Sequence, residues 1–95
     1  MKHLNITIQG KIQGVGFRFS AMEQAYRYGV CGFVKNNGSD TVYIEAEATR
    51  EMLDSFVAWC HRGPIGARVE NVSVEEAPLK NYNSFEIIKR NPPTG

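Results

Sequence analysis

The nine residues GKIQGVGFR, at positions 10–18, separate a strand-like run from a helix-like run and decide how the rest of the chain is organised. Gly14 and Gly16 lack side chains, so the backbone can turn sharply there and approach a ligand closely. A loop that ends where a helix starts points unpaired N–H groups and the positive end of the helix dipole at one spot. Arg18 adds a planar fork of donors that matches phosphate or carboxylate oxygens. The stretch therefore predicts an anion site, although many short glycine-rich turns are only connections.

Hydrophobic periodicity predicts one α+β domain over residues 1–90 and a flexible tail over residues 91–95. Thr49 is the predicted cap of a second helix that Gly63-Pro64 ends, and Asn37-Gly38 predicts a hairpin turn. The predicted elements are strands over 4–9, 30–36, 41–47, 69–77 and 85–88, with helices over 19–28 and 49–61. This order predicts a ferredoxin-like split βαβ sandwich, an antiparallel sheet of four to five strands with two helices on one face.

Composition and charge indicate an ordinary globular protein. Hydrophobic residues make up 42% of the 95 positions and charged residues 22%, which suits a single modest core. The formal net charge of +1 argues against a large nucleic-acid or membrane surface. No signal peptide or membrane span is predicted, and Cys31 and Cys60 fall in apolar patterns that predict reduced, buried thiols. We therefore expect a cytoplasmic monomer with no nucleic-acid or membrane partner.

Several reactive or aromatic side chains outside the loop favour structural interpretations. His3 starts the first strand and is predicted to face solvent, although a ligand or base role stays open. Glu45 and Glu47 share one face of a strand beside a turn, which is typical of a solvated face. Trp59 falls off the apolar stripe of the second helix, so partial exposure is predicted.

Three blocks of the sequence resemble one enzyme family. Gln13-Gly14-Val15-Gly16-Phe17-Arg18, after the first strand, is similar to the signature of the acylphosphatases. Gly32-Phe33-Val34-Lys35-Asn36 resembles the second signature of that family, which ends in its catalytic asparagine. Gly63-Pro64 followed by Ala67-Arg68-Val69 also matches, and the likeness spans nearly the whole chain. Without the resemblance, Asn36 is explained as part of an Asn-Asn-Gly turn.

The resemblance implies a hydrolase that converts acyl phosphates to a carboxylate and inorganic phosphate. Arg18 would pair with the phosphoryl oxygens and stabilise the transition state, within a cradle of backbone N–H groups. The implied phosphate-binding residues are Gln13, Gly14, Val15, Gly16, Phe17 and Arg18. Asn36 would hold the attacking water, because its amide both donates and accepts. The substrate's own phosphate would take the proton, so neither a metal nor another cofactor is expected.

The hairpin after Asn36 departs from the family pattern. It carries Asn37-Gly38-Ser39-Asp40 where Asp-Gly is usual, and Phe33, Tyr43 and Ala48 also differ from common family residues. These differences affect the turn that orients the Asn36 side chain, but they remove no predicted catalytic group.

Two other functions stay open from the sequence. A ferredoxin-like RNA-binding domain would stack bases on exposed aromatics of its central strands, whereas Phe17 lies in a loop of a nearly neutral chain. An accessory domain would keep the fold and the anion site and lack turnover. Larger carbamoyl-transfer maturation proteins carry a similar module.

Overall fold

A computed structural model describes residues 1–89, and its helices and strands follow the predicted order. They are β1 (Lys2–Lys11), α1 (Phe17–Tyr28), β2 (Cys31–Asn36), β3 (Thr41–Ala48), α2 (Arg50–Arg62), β4 (Arg68–Ala77) and β5 (Phe85–Ile88). The predicted flexible tail, residues 91–95, lies outside the described residues, as does residue 90. Within residues 1–89, neither helix has the length and apolar content needed to cross a membrane.

The five strands form one sheet in the order β4-β1-β3-β2-β5. The first four strands pair antiparallel, but β5 pairs parallel to β2, so the prediction of a wholly antiparallel sheet was wrong. The reason lies in the connection, because the chain leaves β4 at one edge and reverses direction before it joins the other edge. A strand that runs opposite to β4 necessarily runs the same way as β2. The α+β class and the split βαβ order are confirmed.

Both helices pack on one face of the sheet and enclose the core. Alternate residues of the central strands, Ile6 and Ile8 on β1 and Ile44 on β3, are fully buried on this face. Phe56 and Leu53 of α2 meet them with the i, i+3 spacing of a core-facing helix. The predicted apolar stripe therefore positions α2, whereas α1 buries Phe17, Ala21 and Ala25 and leaves Tyr26, which the helical spacing predicted to be in the core, 64% exposed.

The helix ends follow the predicted chemistry. Gly29 ends α1 in a left-handed conformation, with its N–H directed to the carbonyl groups of Ala25 and Tyr26. Thr49 caps α2, because its hydroxyl oxygen accepts a hydrogen bond from the Met52 N–H at 3.4 Å. These caps fix where each helix enters and leaves the sheet layer.

Trp59 is buried, with 7% of its surface exposed, so its predicted partial exposure was wrong. Its ring centroid lies 5.3 Å from that of Phe17 and 6.3 Å from that of Phe56. Phe17 comes from the start of α1, so a residue distant in sequence covers the flank of α2 that the helical stripe leaves open.

Of the two thiols, Cys60 is buried as predicted, whereas Cys31 is only half-buried.

The opposite face of the sheet is partly covered by residues 78–84, here called the crossing segment, which links β4 to β5. Under it lie His3, Glu45 and Glu47, with exposed fractions of 0%, 7% and 1%. The prediction that these three residues face solvent was therefore wrong. Their strand positions do face away from the helices, but the crossing segment takes the place of water.

Candidate active site

The glycine loop, residues 13–18, follows the end of β1 at Lys11, shortly after the register of β1 and β4 shifts between Gln9 and Gly10. Gly14 and Gly16 adopt φ values of 77° and 71°, in the left-handed region that residues with a Cβ rarely occupy. Gly16 is the N-cap of α1, so the helix begins at Phe17 and not at Phe19 as predicted. The loop therefore turns directly into the helix.

The start of α1 presents unclaimed N–H groups. No side chain of the described residues caps this helix, and its first turn holds no acidic residue. Within residues 1–89, the N–H groups of the glycine loop donate to no backbone carbonyl outside the regular elements. Unpaired donors and the positive helix end together favour an anion.

Arg18, the second residue of α1, is half-buried at this helix start. Its Nη1 donates to the backbone carbonyl of Lys89 at 3.1 Å, just beyond the end of β5. This bond occupies one of the five N–H donors of the guanidinium. The residue that follows β5 thus holds the arginine beside the glycine loop.

Asn36 ends β2 on the neighbouring side of the loop. Its Nδ2 donates to Oε1 of Gln13 at 3.1 Å, so the side chain of Gln13 joins the loop to the strand. This bond orients the Asn36 amide and leaves its oxygen as an acceptor. The sequence predicted both residues, but it attributed only a backbone contribution to Gln13.

The altered hairpin after Asn36 is closed and attached to the sheet. The N–H of Asn37 donates to the carbonyl of Thr41 at 2.8 Å, and the carbonyl of Asp40 accepts from the N–H of Gly10 at 3.0 Å. The second bond ties the hairpin to the strand end that precedes the glycine loop. The departure from the family pattern therefore leaves Asn36 beside the loop.

These residues line a cleft of about 610 Å³. Of the predicted site residues it contains Gln13, Gly14, Gly16, Phe17, Arg18 and Asn36. Val15 is not among the lining residues, and its side chain lies near Gly66 in the turn between α2 and β4. The lining residues that the sequence did not predict are Ile12, Phe19, Met22, Ile87 and Lys89.

The charged side chains that line the cleft are cationic, and most of the remaining lining side chains are apolar. Arg18 and Lys89 both line it, and none of the residues among 1–89 that line it is acidic. Phe19 follows the signature directly, which could have signalled its position. Ile87 and Lys89 reach the cleft only because β5 pairs beside β2, and no local pattern reveals that pairing.

The pKa of Glu47, on the opposite face of the sheet, is lowered. Burial alone raises that pKa, but hydrogen bonds from the Lys80 N–H at 2.6 Å, from His3 and from the Tyr82 N–H at 3.0 Å outweigh it. Nδ1 of His3 lies 2.7 Å from Oε2 of Glu47. The carboxylate thus fastens the crossing segment to the sheet.

The pKa of Glu45 is lowered by a similar set of donors. Burial raises the pKa, and hydrogen bonds from the Tyr82 hydroxyl at 2.6 Å, the Tyr43 hydroxyl at 2.8 Å and Lys80 Nζ at 3.0 Å more than reverse that effect. Burial and the bond to Glu45 raise the pKa of Tyr43 and of Tyr82. We use the name polar cluster for the side chains that meet here, which are those of His3, Tyr43, Glu45, Glu47, Lys80 and Tyr82.

Within residues 1–89, no three His, Cys, Asp or Glu residues are arranged to hold a metal ion.

Fold and cleft together define a small split βαβ protein with an open cationic site at the start of its first helix. The acylphosphatase family model matches residues 4–87. An acylphosphatase of Geobacter sulfurreducens is 41% identical over 83 residues, which cover 86% of this chain and 91% of that protein. The chain therefore belongs to the acylphosphatase family, the enzymes that hydrolyse acyl phosphates, and the predicted resemblance is confirmed.

Solved structures agree with this assignment. The crystal structure of acylphosphatase from Bacillus subtilis matches with a TM-score of 0.90 and 34% identity, over 93% of this chain and 99% of that chain. Full-length HypF in a phosphate- and nucleotide-bound form matches with a TM-score of 0.86 and 32% identity, over 93% of this chain but 12% of that chain. The fold thus occurs both alone and as part of a larger protein.

Proposed function

We propose that the chain hydrolyses the carboxyl–phosphate bond of acyl phosphates in the cleft between the glycine loop and Asn36, and releases a carboxylate and inorganic phosphate. The observation that carries this proposal is the meeting of Arg18, the unclaimed N–H groups of α1 and Asn36 around one cleft. Each group serves a separate requirement of phosphoryl transfer, which depends on positioning and charge stabilisation.

The glycine loop binds the phosphoryl group. Backbone N–H groups of Gln13, Gly14, Val15, Gly16 and Phe17 surround its oxygens, and the helix dipole favours their negative charge. Val15 contributes only through its backbone, because its side chain lies away from the cleft. The free guanidinium donors of Arg18 pair with the equatorial oxygens and stabilise the charge that develops there.

Asn36 positions the attacking water in line with the leaving carboxylate. Its Nδ2 is held by Gln13, which leaves Oδ1 to accept a hydrogen bond from the water. The oxygen of that water forms the new bond to phosphorus, the bond from phosphorus to the acyl oxygen breaks, and a phosphate oxygen takes the proton. A carboxylate leaves readily, so the reaction proceeds without a metal or other cofactor.

The experiment is hydrolysis of benzoyl phosphate by the purified protein, with and without EDTA and with inorganic phosphate as a competitor. We expect turnover that EDTA leaves unchanged and phosphate inhibits competitively. Loss of turnover in EDTA would reject the metal-free mechanism. Phosphate binding without any turnover would reject the hydrolase in favour of an anion-binding accessory domain.

We further propose that the protein acts as a cytoplasmic monomer without a nucleic-acid partner. The net charge of +1 supports the absence of a nucleic-acid partner, and the free thiols Cys31 and Cys60 support a reducing compartment. Light scattering during size exclusion tests the mass, and a salt-dependent gel shift with RNA would contradict the absence of nucleic-acid binding.

A further inference from the structure

We propose that the cleft contains a second subsite, formed by Phe19, Met22 and Ile87, that binds the acyl group of the substrate. This subsite makes the enzyme favour acyl phosphates whose acyl group is aromatic or an extended aliphatic chain. The inference rests on the proposed hydrolysis at the glycine loop, and it assigns a substrate class to the same site.

The cleft is larger than its phosphate end requires. The donors that suit a phosphoryl group are concentrated at the glycine loop and Arg18, whereas the cleft as a whole measures about 610 Å³. Pockets of roughly 300–1,000 Å³ hold whole small molecules. The space beyond Arg18 therefore accommodates a further part of the substrate.

The wall of that space is apolar. Phe19 and Met22 lie three residues apart on α1, so their side chains share one side of the helix. Ile87 of β5 lines the same cleft, as does Lys89, whose carbonyl accepts the hydrogen bond from Arg18. The apolar wall thus begins at the residue next to the arginine and is continuous with the anion site.

Phe19 belongs neither to the hydrophobic core of residues 1–89 nor to the apolar residues packed against that core. Its side chain is 67% exposed, whereas Phe17, two positions earlier, is 2% exposed and packs in the core. Single exposed apolar residues are common, but Phe19 lines the same cleft as two other apolar side chains. A bound acyl group would remove all three surfaces from water.

Substrate geometry places the acyl group in this space. In an acyl phosphate one bridging oxygen separates phosphorus from the acyl carbon, so the acyl chain starts within a few bond lengths of the groups that hold the phosphate. The flexible, polarisable side chain of Met22 can adapt to different acyl shapes, including an aromatic ring.

The kinetic test compares acetyl, butyryl and benzoyl phosphate with the wild type, Phe19→Ala, Phe19→Leu and the control Ile65→Ala. Ile65 is fully exposed and does not line the cleft. We expect Phe19→Ala to lower kcat/KM about tenfold for benzoyl phosphate and less than about twofold for acetyl phosphate, mainly through KM. Phe19→Leu should recover part of the kcat/KM for benzoyl phosphate that Phe19→Ala loses. Equal losses across the series, or no loss, would overturn the subsite.

A binding test separates this inference from the proposed hydrolysis. Calorimetry with benzylphosphonate and methylphosphonate, which carry similar anionic groups, is expected to show tighter binding of the benzyl compound by the wild type. Phe19→Ala should remove that preference, and Ile65→Ala should keep it. A preference without turnover of any acyl phosphate would reject the hydrolase but support the subsite. Turnover without the preference would reject the subsite alone.

Discussion

The glycine loop and the polar cluster are both rich in hydrogen-bonding groups, yet they differ in how those groups are used. In the loop, N–H groups and most Arg18 donors are without partners among the described residues. In the polar cluster, Glu47 accepts from two backbone N–H groups, and Glu45 accepts from Tyr43, Tyr82 and Lys80. No buried side-chain polar atom of residues 1–89 lacks a partner. Open donors are available to a ligand, whereas satisfied groups hold the fold together.

The comparison predicts that Arg18→Gln abolishes most activity and leaves stability unchanged. Loss of a preorganised donor at the centre of developing charge typically costs roughly 10²–10³ in rate. The bond from Arg18 to the Lys89 carbonyl is exposed, so its loss has little effect on unfolding. Benzoyl phosphate kinetics and urea unfolding measure the two effects, with Arg27→Gln on the same helix as the control. Near-complete activity in Arg18→Gln would contradict the proposed role of Arg18 in binding the phosphoryl group at the glycine loop.

Asn36→Ala should lower kcat roughly 10²-fold, because the water loses its alignment. The inhibition constant for inorganic phosphate should stay within about twofold of the wild type, since the phosphate donors remain. Steady-state kinetics with phosphate as the inhibitor give both values, and Asn37→Ala in the hairpin serves as the control. A matching loss of phosphate affinity would move Asn36 into the phosphate cradle.

For a substitution in the polar cluster we expect lower stability and unchanged activity, the opposite of the result expected for Arg18→Gln. Glu47→Gln puts an amide where a carboxylate now accepts the N–H groups of Lys80 and Tyr82. A buried donor without its acceptor costs about 1–3 kcal/mol. Chemical denaturation should show that loss of stability, while kcat stays at the wild-type value. The control Glu76→Gln removes only an exposed ion pair with Lys2, which is worth little. A stable but inactive Glu47→Gln protein would contradict the assignment of the polar cluster to stability and of the glycine loop to catalysis.

The smallest expected effect is on pH dependence. Glu45 and Glu47 have folded-state pKa values below the ordinary value of 4.5, so they contribute stability above that pH. That stability is lost as the pH falls through their folded-state pKa values. Unfolding midpoints measured between about pH 6 and about pH 3 should fall less in Glu47→Gln than in the wild type. An unchanged slope would show that the pKa of Glu47 does not differ on unfolding.

Local patterns predicted the elements that build the core, because alternation and helical spacing act over a few residues. The glycine loop itself indicated Arg18 as an anion ligand, whereas the catalytic roles of Arg18 and Asn36 came from the resemblance. The burial of His3 and Glu47 was not predicted, because it depends on a segment more than thirty positions further along the chain. The Gln13–Asn36 bond and the placement of Ile87 also depend on which strands become neighbours. No local pattern carries that information.

The bond from Arg18 to the Lys89 carbonyl has a consequence for how the enzyme fails under stress. β5 has four residues and, within residues 1–89, pairs only with β2 at the edge of the sheet. Elements with few pairing partners open locally at a lower free energy than the whole domain, and opening of β5 exposes Phe85, which is 2% exposed in the folded protein. When β5 detaches, the arginine loses its anchor although the rest of the sheet is intact. Catalytic activity therefore depends on the attachment of β5, and we expect heating to inactivate the enzyme below the temperature at which the whole domain unfolds.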